Sequence, residues 1–134
     1  MGKALGFVRH ATAYPFLAIV LLAGPLFAKR AAPEPVAPVS YGGIKYSAPN
    51  DDGRIEYVQA SDSVGKRLFR IKVFETKIDP SLEEDVQWVF IAGLKVVGNL
   101  LWVKDEKSRC YSINLDTKGV EKKTGCWAFS AGRN

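Results

Sequence analysis

The stretch WVFIAGLKVVGNLLWVKDEKSRCYSINLDTKGVEKK, residues 88–123, decides the fold of this chain. Short apolar runs alternate in it with the turn-forming segments Gly98-Asn99, Asp105–Ser108 and Asp116–Gly119. Apolar runs bounded by Asn, Asp and Gly are typical of strands joined by tight reversals. We therefore predict four consecutive antiparallel strands, over residues 88–97, 100–104, 110–115 and 120–123.

The segment before this stretch carries the same signals. Residues 44–47, 55–60 and 68–75 are strand candidates, and the last of them alternates, with Phe69, Ile71 and Val73 on one face. Asn50–Gly53 and Asp62–Gly65 supply the turns. The sequence thus predicts an all-β domain over residues 41–134, built from antiparallel hairpins.

Residues 79–85, DPSLEED, interrupt the strands. Asp79 is suited to cap a helix, Pro80 suits its first position, and Ser81 with Glu84 fits a capping box, so we predict one short helical turn. The four carboxylates of this segment suggest either a cation site or the usual preference of acids for helix N-termini. Their spacing matches no calcium-binding loop, and no metal is predicted.

The N-terminus predicts export. Residues 11–28, ATAYPFLAIVLLAGPLFA, are 18 uncharged, mostly apolar residues that follow Lys3 and Arg9. This is the layout of a signal peptide with cleavage after Ala28, or of an uncleaved N-terminal helix that anchors the chain in a membrane. Residues 29–40, with three prolines, predict a stiff tether to the domain. The predicted location is periplasmic or extracellular.

An internal repeat appears when the chain is shifted by 54 residues, because Tyr57, Asp62 and Gly65 then fall on Tyr111, Asp116 and Gly119. The segment Asp62–Phe69 resembles the hairpin of a quinoprotein-type (PQQ-type) β-propeller blade, with Phe69 in place of the usual Trp. The resemblance covers residues 43–73 and 89–122 and implies two degenerate blade-like sheets. The chain also resembles small exported bacterial proteins. Nothing matches a quinone site, so the resemblance implies no cofactor.

Cys110 and Cys126 flank the last predicted turn. If Gly119 forms the bulge of a three-residue loop, the two cysteines lie directly opposite each other, within disulfide range. Two cysteines in an exported chain favour the same pairing. Two free thiols in a reducing compartment are the alternative.

Composition excludes several kinds of catalysis. His10 is the only histidine, so the chain beyond residue 28 has none. This excludes Ser-His-Asp and Cys-His catalysis and histidine-ligated metals there. Without residues 1–28 the chain has 17 basic and 14 acidic residues, a net charge of +3, which does not indicate a nucleic-acid partner.

These observations favour a non-catalytic binding or interaction module of the cell envelope. Trp88, Phe90 and Trp127 are the candidate partner contacts, since a sticky strand around Phe90 suits addition to a partner's sheet. Trp88, Trp102 and Trp127 form either a stacking platform or core. One alternative is a carboxylate-based hydrolase or enzyme accessory domain acting on envelope glycans, with Glu56 and Asp105 as its acids. Another is a structural blade pair in a larger assembly. If the leader is uncleaved, the membrane is a further partner.

Overall fold

A computed structural model describes residues 30–130, together with the isolated Gly2 and Gly6. The predicted leader therefore lies outside the described residues, apart from those two glycines. Eight strands are present in residues 30–130: β1 Val39–Tyr41, β2 Ile44–Ser47, β3 Ile55–Ser61, β4 Arg67–Glu75, β5 Ile91–Val97, β6 Leu100–Asp105, β7 Cys110–Asn114 and β8 Val120–Lys123. A 3-10 turn covers Asp85–Gln87, and a short helix, α1, covers Trp127–Ser130.

The strands form two antiparallel sheets of four. Sheet A has the order β1-β2-β3-β4, and sheet B has the order β5-β6-β7-β8. The predicted all-β, antiparallel class is thereby confirmed. The first strand uses Val39 and Ser40, the last two residues of the predicted tether. β5 begins at Ile91 rather than at residue 88, because the N–H groups of Val89 and Phe90 bond outside the sheet, to the Gly53 carbonyl and to the Glu106 carboxylate.

The core lies between the inner faces of the two sheets. Val58 and Ala60 of β3 alternate with half-buried Tyr57 and Gln59, as expected for a strand with one face in the core. From sheet B, the inner side chains are Leu101 and Val103 of β6 and Tyr111 and Ile113 of β7. The rings of Phe74 and Tyr111 stack across the gap with centroids 5.1 Å apart. This burial supplies the main stabilisation of the fold.

A second, smaller cluster covers the outer face of sheet B. Trp102 and Cys110 are buried there against Val97, Leu100, Cys126 and Phe129. The chain after β8 turns back over this face, and a Cβ on Gly93 would come within 3.2 Å of the Phe129 ring. The C-terminal residues therefore pack on sheet B rather than extending from it.

The repeated residues occupy corresponding strands, but their turns differ. Tyr57 and Tyr111 both lie in the third strand of their sheets. In the first turn, Asp62 Oδ1 accepts bonds from the N–H groups two and four residues later, and Gly65 has φ +87°. The β6–β7 turn at Asp105 repeats this bonding, with Ser108 at φ +60°. The turn at Asp116 joins the corresponding two strands but does not bond in this way, so Gly65 and Gly119 differ in backbone conformation.

The helical turn lies later than predicted, at Asp85–Gln87 instead of residues 79–85. Asp79 Oδ1 accepts bonds from the N–H and hydroxyl of Ser81, which closes a local turn. Glu84 forms no capping box, because its carboxylate lies 3.3 Å from Nη1 of Arg54. The ion pair and the local turn replace the predicted cap.

Candidate functional site

A concavity lies at one end of sheet B, where β7 begins and β8 ends. We call it the disulfide cleft; its volume is about 460 Å³, and it is lined by Ser108, Arg109, Cys110, Lys122, Lys123, Thr124 and Gly125. Antiparallel pairing brings these two segments together, because Cys110 lies opposite Lys123. The hairpin thus forms both walls of the cleft.

The predicted cysteine pair closes one side of the cleft, although the predicted register was wrong. The sulfur atoms of Cys110 and Cys126 lie at bonding distance, with Cα atoms 5.4 Å apart. Cys110 faces Lys123, three residues from the predicted position. Asn114 causes the difference, because its Oδ1 accepts the N–H groups of Asp116 and Thr117, and Lys118, at φ +64°, takes the left-handed position instead of Gly119. Cys126 reaches Cys110 through the turn after Lys123.

The charged side chains that line the cleft are all cationic. Arg109 Nε donates to Oδ2 of the fully buried Asp105 at 2.6 Å, which fixes the guanidinium at the rim. Lys123 Nζ lies 2.8 Å from Glu121 Oε2. Lys122 is exposed, and no carboxylate of residues 30–130 lies within ion-pair distance of it. The cleft therefore has a positive charge that the described residues leave uncompensated at Lys122.

Two tryptophans extend the cleft on the outer face of sheet B. An adjoining cavity of about 290 Å³ shares Lys123, Thr124 and Gly125 with the cleft and adds Trp102 and Trp127. The two indoles meet edge to face with centroids 5.4 Å apart. Trp102 is buried, whereas Trp127 is 60% exposed. Trp127 thus provides an apolar surface beside the cationic walls.

The other two candidate contacts lie elsewhere. Trp88 is half-buried, and its side chain occupies the place where a Cβ on Gly53 would stand. Phe90 is buried, with the Arg30 guanidinium 4.7 Å above its ring. Arg30 also donates to the Trp88 carbonyl and pairs with Glu106. Trp127 is therefore the one member of the predicted set that the structure leaves largely exposed.

The strand edges that stand open in the structure differ from the one expected for strand addition. β5 contacts both β1 and α1. The side-chain amide of Asn50 also hydrogen-bonds the backbone N–H and carbonyl of Ile91. Within residues 30–130, the sheet edges with no such cover are β4, with nine residues, and the shorter β8. Lys122 and Lys123 of β8 are also walls of the disulfide cleft, so this edge and the cleft are one surface.

Glu56 and Asp105, the acids suggested for a hydrolase, both lie inside the protein. Glu56 is 1% exposed, its carboxylate oxygens have no hydrogen-bond partner among the described residues, and burial together with the charges of Asp51, Asp52 and Glu106 raises its pKa to about 8. Asp105 is engaged by Arg109 and two backbone N–H groups. Neither carboxyl group faces a concavity that the structure describes.

No group of three or more His, Cys, Asp or Glu side chains in the described residues is placed to hold a metal ion. No helix between residues 30 and 130 is long and apolar enough to cross a membrane.

The fold and cleft define a small all-β protein with two four-stranded sheets and a basic cleft beside a cysteine pair. Comparisons with protein-family models, with curated proteins and with solved structures find no match to this chain. In the sequence, Lys122 and Lys123 form only a short basic pair at the end of a strand, which is typical of a solvated surface. The pairing of β7 with β8, in which Cys110 lies opposite Lys123, brings this pair close to Arg109.

Proposed function

We propose that this chain is a non-catalytic interaction module, exported to the cell envelope, that binds an acidic partner at the disulfide cleft. One observation carries the proposal. Arg109, Lys122 and Lys123 are the charged groups of the cleft, and Lys122 has no carboxylate partner in the described part of the chain. Charge of one sign in a concave site attracts ligands of the opposite sign.

The cleft suits binding because its walls are held before a partner arrives. The cysteine pair ties the end of β8 to the start of β7, and Asp105 holds Arg109 in place. A ligand carboxylate can accept charge-assisted hydrogen bonds from Lys122 and from the outer nitrogens of Arg109. Trp127 supplies apolar contact next to them. Such preorganisation lowers the entropy lost on binding.

The hydrolase alternative receives less support. A glycosidase needs two carboxyl groups on either side of the scissile bond, within reach of the substrate. Glu56 and Asp105 are fully buried, and the oxygens of Asp105 are engaged by the β6–β7 turn. The absence of histidine beyond His10 removes the commonest general base.

Export rests on the apolar stretch 11–28 and on the cysteine pair, which suits an oxidising compartment. N-terminal sequencing of the native protein tests it. We expect a mature start at Lys29. A start near Met1 in the membrane fraction would instead indicate the anchor, and a soluble cytoplasmic product with an intact leader would contradict both.

A second candidate function is strand addition at β4. Its nine residues form the longest strand, and no strand of the described residues pairs with its outer edge. Arg67, Arg70 and Lys72 place charge along this edge, which is how natural sheets discourage indiscriminate pairing. The cleft is favoured because its charges are concentrated in a concavity.

Chemical-shift mapping with a defined probe tests the proposal. The probe is a short synthetic peptide of alternating Glu and Leu, and the control is the matching peptide of Lys and Leu. We expect the acidic peptide to shift the amide signals of residues 108–110 and 122–125 and the indole signal of Trp127, and the basic peptide to leave them unchanged. Shifts confined to the β4 edge would favour strand addition instead. No shift with either peptide would overturn the proposal.

A further inference from the structure

One loop of this same chain has the properties that the cleft requires of a partner. We call residues 79–87 the acidic loop. It carries Asp79, Glu83, Glu84 and Asp85, and it exposes the apolar side chains of Leu82 and Val86. In the described residues the large apolar side chains that stand exposed are Val64, Leu68, Leu82, Val86 and Trp127. Two of them thus lie in the acidic loop, and a third lies beside the cleft.

Gln87 holds the acidic loop in one shape. Its side-chain oxygen accepts the N–H of Asp79 at 2.7 Å, and its side-chain nitrogen donates to the carbonyls of Asp79 and Glu83, both at 3.0 Å. The loop is therefore a preformed projection, and its docking costs little conformational entropy.

The two halves of the domain carry net charges of opposite sign. Residues 30–88 contain eight basic and ten acidic residues, whereas residues 89–130 contain seven basic and four acidic ones. Within the loop, Glu84 pairs with Arg54, while Glu83 has no ion pair among the described residues. Glu83 on the loop and Lys122 at the cleft are thus opposite charges that each lack a partner there.

We propose that the acidic loop of one copy binds in the disulfide cleft of a second copy. This inference rests on the proposed function and names its partner. Glu83 reaches Lys122 and Arg109, while Leu82 packs against Trp127. No residue of the loop lines the cleft of its own copy, so both surfaces stay available to neighbours.

The geometry of such a contact sets the form of the assembly. The two contacting surfaces differ, so copies join either head to tail or as a two-fold dimer in which each loop binds the cleft of the other copy. Head-to-tail association produces rings or open chains, whereas reciprocal binding stops at a dimer. A blade pair that assembles with its own copies fits the same arrangement.

Sedimentation velocity of the exported, processed protein tests the inference; all strands and both apolar clusters lie within residues 36–129, so this form retains the whole core. We expect the mean mass to rise from that of a monomer to that of a dimer, a ring or a longer chain as concentration increases, and to fall in high salt. A cleft variant, Lys122→Glu with Lys123→Glu, and a loop variant, Leu82→Ser with Glu83→Gln, should each be monomeric. Their mixture should give a one-to-one dimer and nothing larger, because one intact loop meets one intact cleft.

The controls are Lys66→Glu and Glu34→Gln, the same kinds of substitution at exposed positions outside the loop and cleft. Both should associate like the wild type. A wild type that stays monomeric at every concentration, while the acidic peptide still binds the cleft, would overturn this inference and leave the proposed function intact. Association that persists in either double variant, or a mixture that forms no dimer, would also overturn it. Loss of both peptide binding and association would contradict both proposals.

Discussion

Asp105 and Arg109 form a buried-to-surface ion pair, with Asp105 Oδ2 2.6 Å from Arg109 Nε. The same carboxylate also accepts two backbone N–H groups of the β6–β7 turn. One buried acid thus shapes the turn and orients a cleft cation. Because the carboxylate is fully buried, its deletion would leave these two N–H groups without their acceptor.

We therefore predict that Asp105→Ala lowers the free energy of unfolding by about 3 kcal/mol. Asp52→Ala, which also removes a carboxylate paired with an arginine but at an exposed position, should cost less than about 1 kcal/mol. Urea unfolding measures both. Equal losses of unfolding free energy in the two variants would show that Asp105 matters no more for stability than the exposed Asp52.

The buried carboxyl group of Glu56 should give the protein an unusual pH dependence of stability. Its pKa is raised from 4.5 to about 8 by burial and by nearby carboxylates. Between those values the folded protein holds a proton that the unfolded chain releases. The contribution of Glu56 to stability is therefore greatest below the lower value and falls as pH rises to about 8, by at most about 1.4 kcal/mol per pH unit.

Glu56→Gln should abolish most of this slope, because glutamine mimics the protonated acid and does not titrate. Unfolding midpoints at a series of pH values from mildly acidic to mildly basic measure it. No histidine lies beyond His10 to obscure the result. A wild type whose stability is flat or rises over that range would show that Glu56 is not the protonated buried group.

We predict that Cys110 and Cys126 form a disulfide bond that stabilises the fold. Cys110 and Cys126 are 16 residues apart, and closing such a loop is worth about 3 kcal/mol by the chain-entropy estimate. Cys126→Ala should lower the melting temperature, and reduced wild type should behave alike. Mass spectrometry of the exported protein should find no alkylatable thiol before reduction; two such thiols would contradict the pairing.

Replacing Gly53 with a residue that has a side chain should disrupt the packing around Trp88. A Cβ at this buried position would overlap the Cβ and ring of Trp88. Gly53→Ala should therefore cost about 1–3 kcal/mol, as overpacking does. Gly125→Ala is the matched control, since a Cβ there meets nothing within 4 Å. Thermal unfolding compares the two, and equal midpoints would mean that Trp88 moves aside freely.

Local patterns predicted the strands well, and tertiary contacts account for what they missed. β8 has the predicted bounds because its ends are marked by turn residues on both sides. The register of its hairpin was missed because Asn114 binds the loop backbone in place of the Asp116–Gly119 turn. The start of β5 depends on the distant Gly53, whose carbonyl accepts the Val89 N–H, and no local pattern reveals that contact.

The cleft was harder to predict than the strands. Arg109 and Lys122 are ordinary surface residues in sequence, and they become neighbours only through hairpin pairing and the cysteine contact. Trp127 was predicted as a contact on its position alone, whereas Phe90, equally apolar, lies buried beneath Arg30. Which aromatic residue remains exposed depends on how distant segments pack.

The affinity of the acidic peptide for charge-reversed variants tests the central claim most directly. Lys122→Glu should weaken binding at least about tenfold, a loss of about 1.4 kcal/mol, because it replaces the unpaired cation of the cleft with a like charge. Lys66→Glu, the same change in the exposed β3–β4 turn, should alter the affinity less than about twofold. Equal affinities of the two variants would contradict the assignment of the disulfide cleft as the binding site.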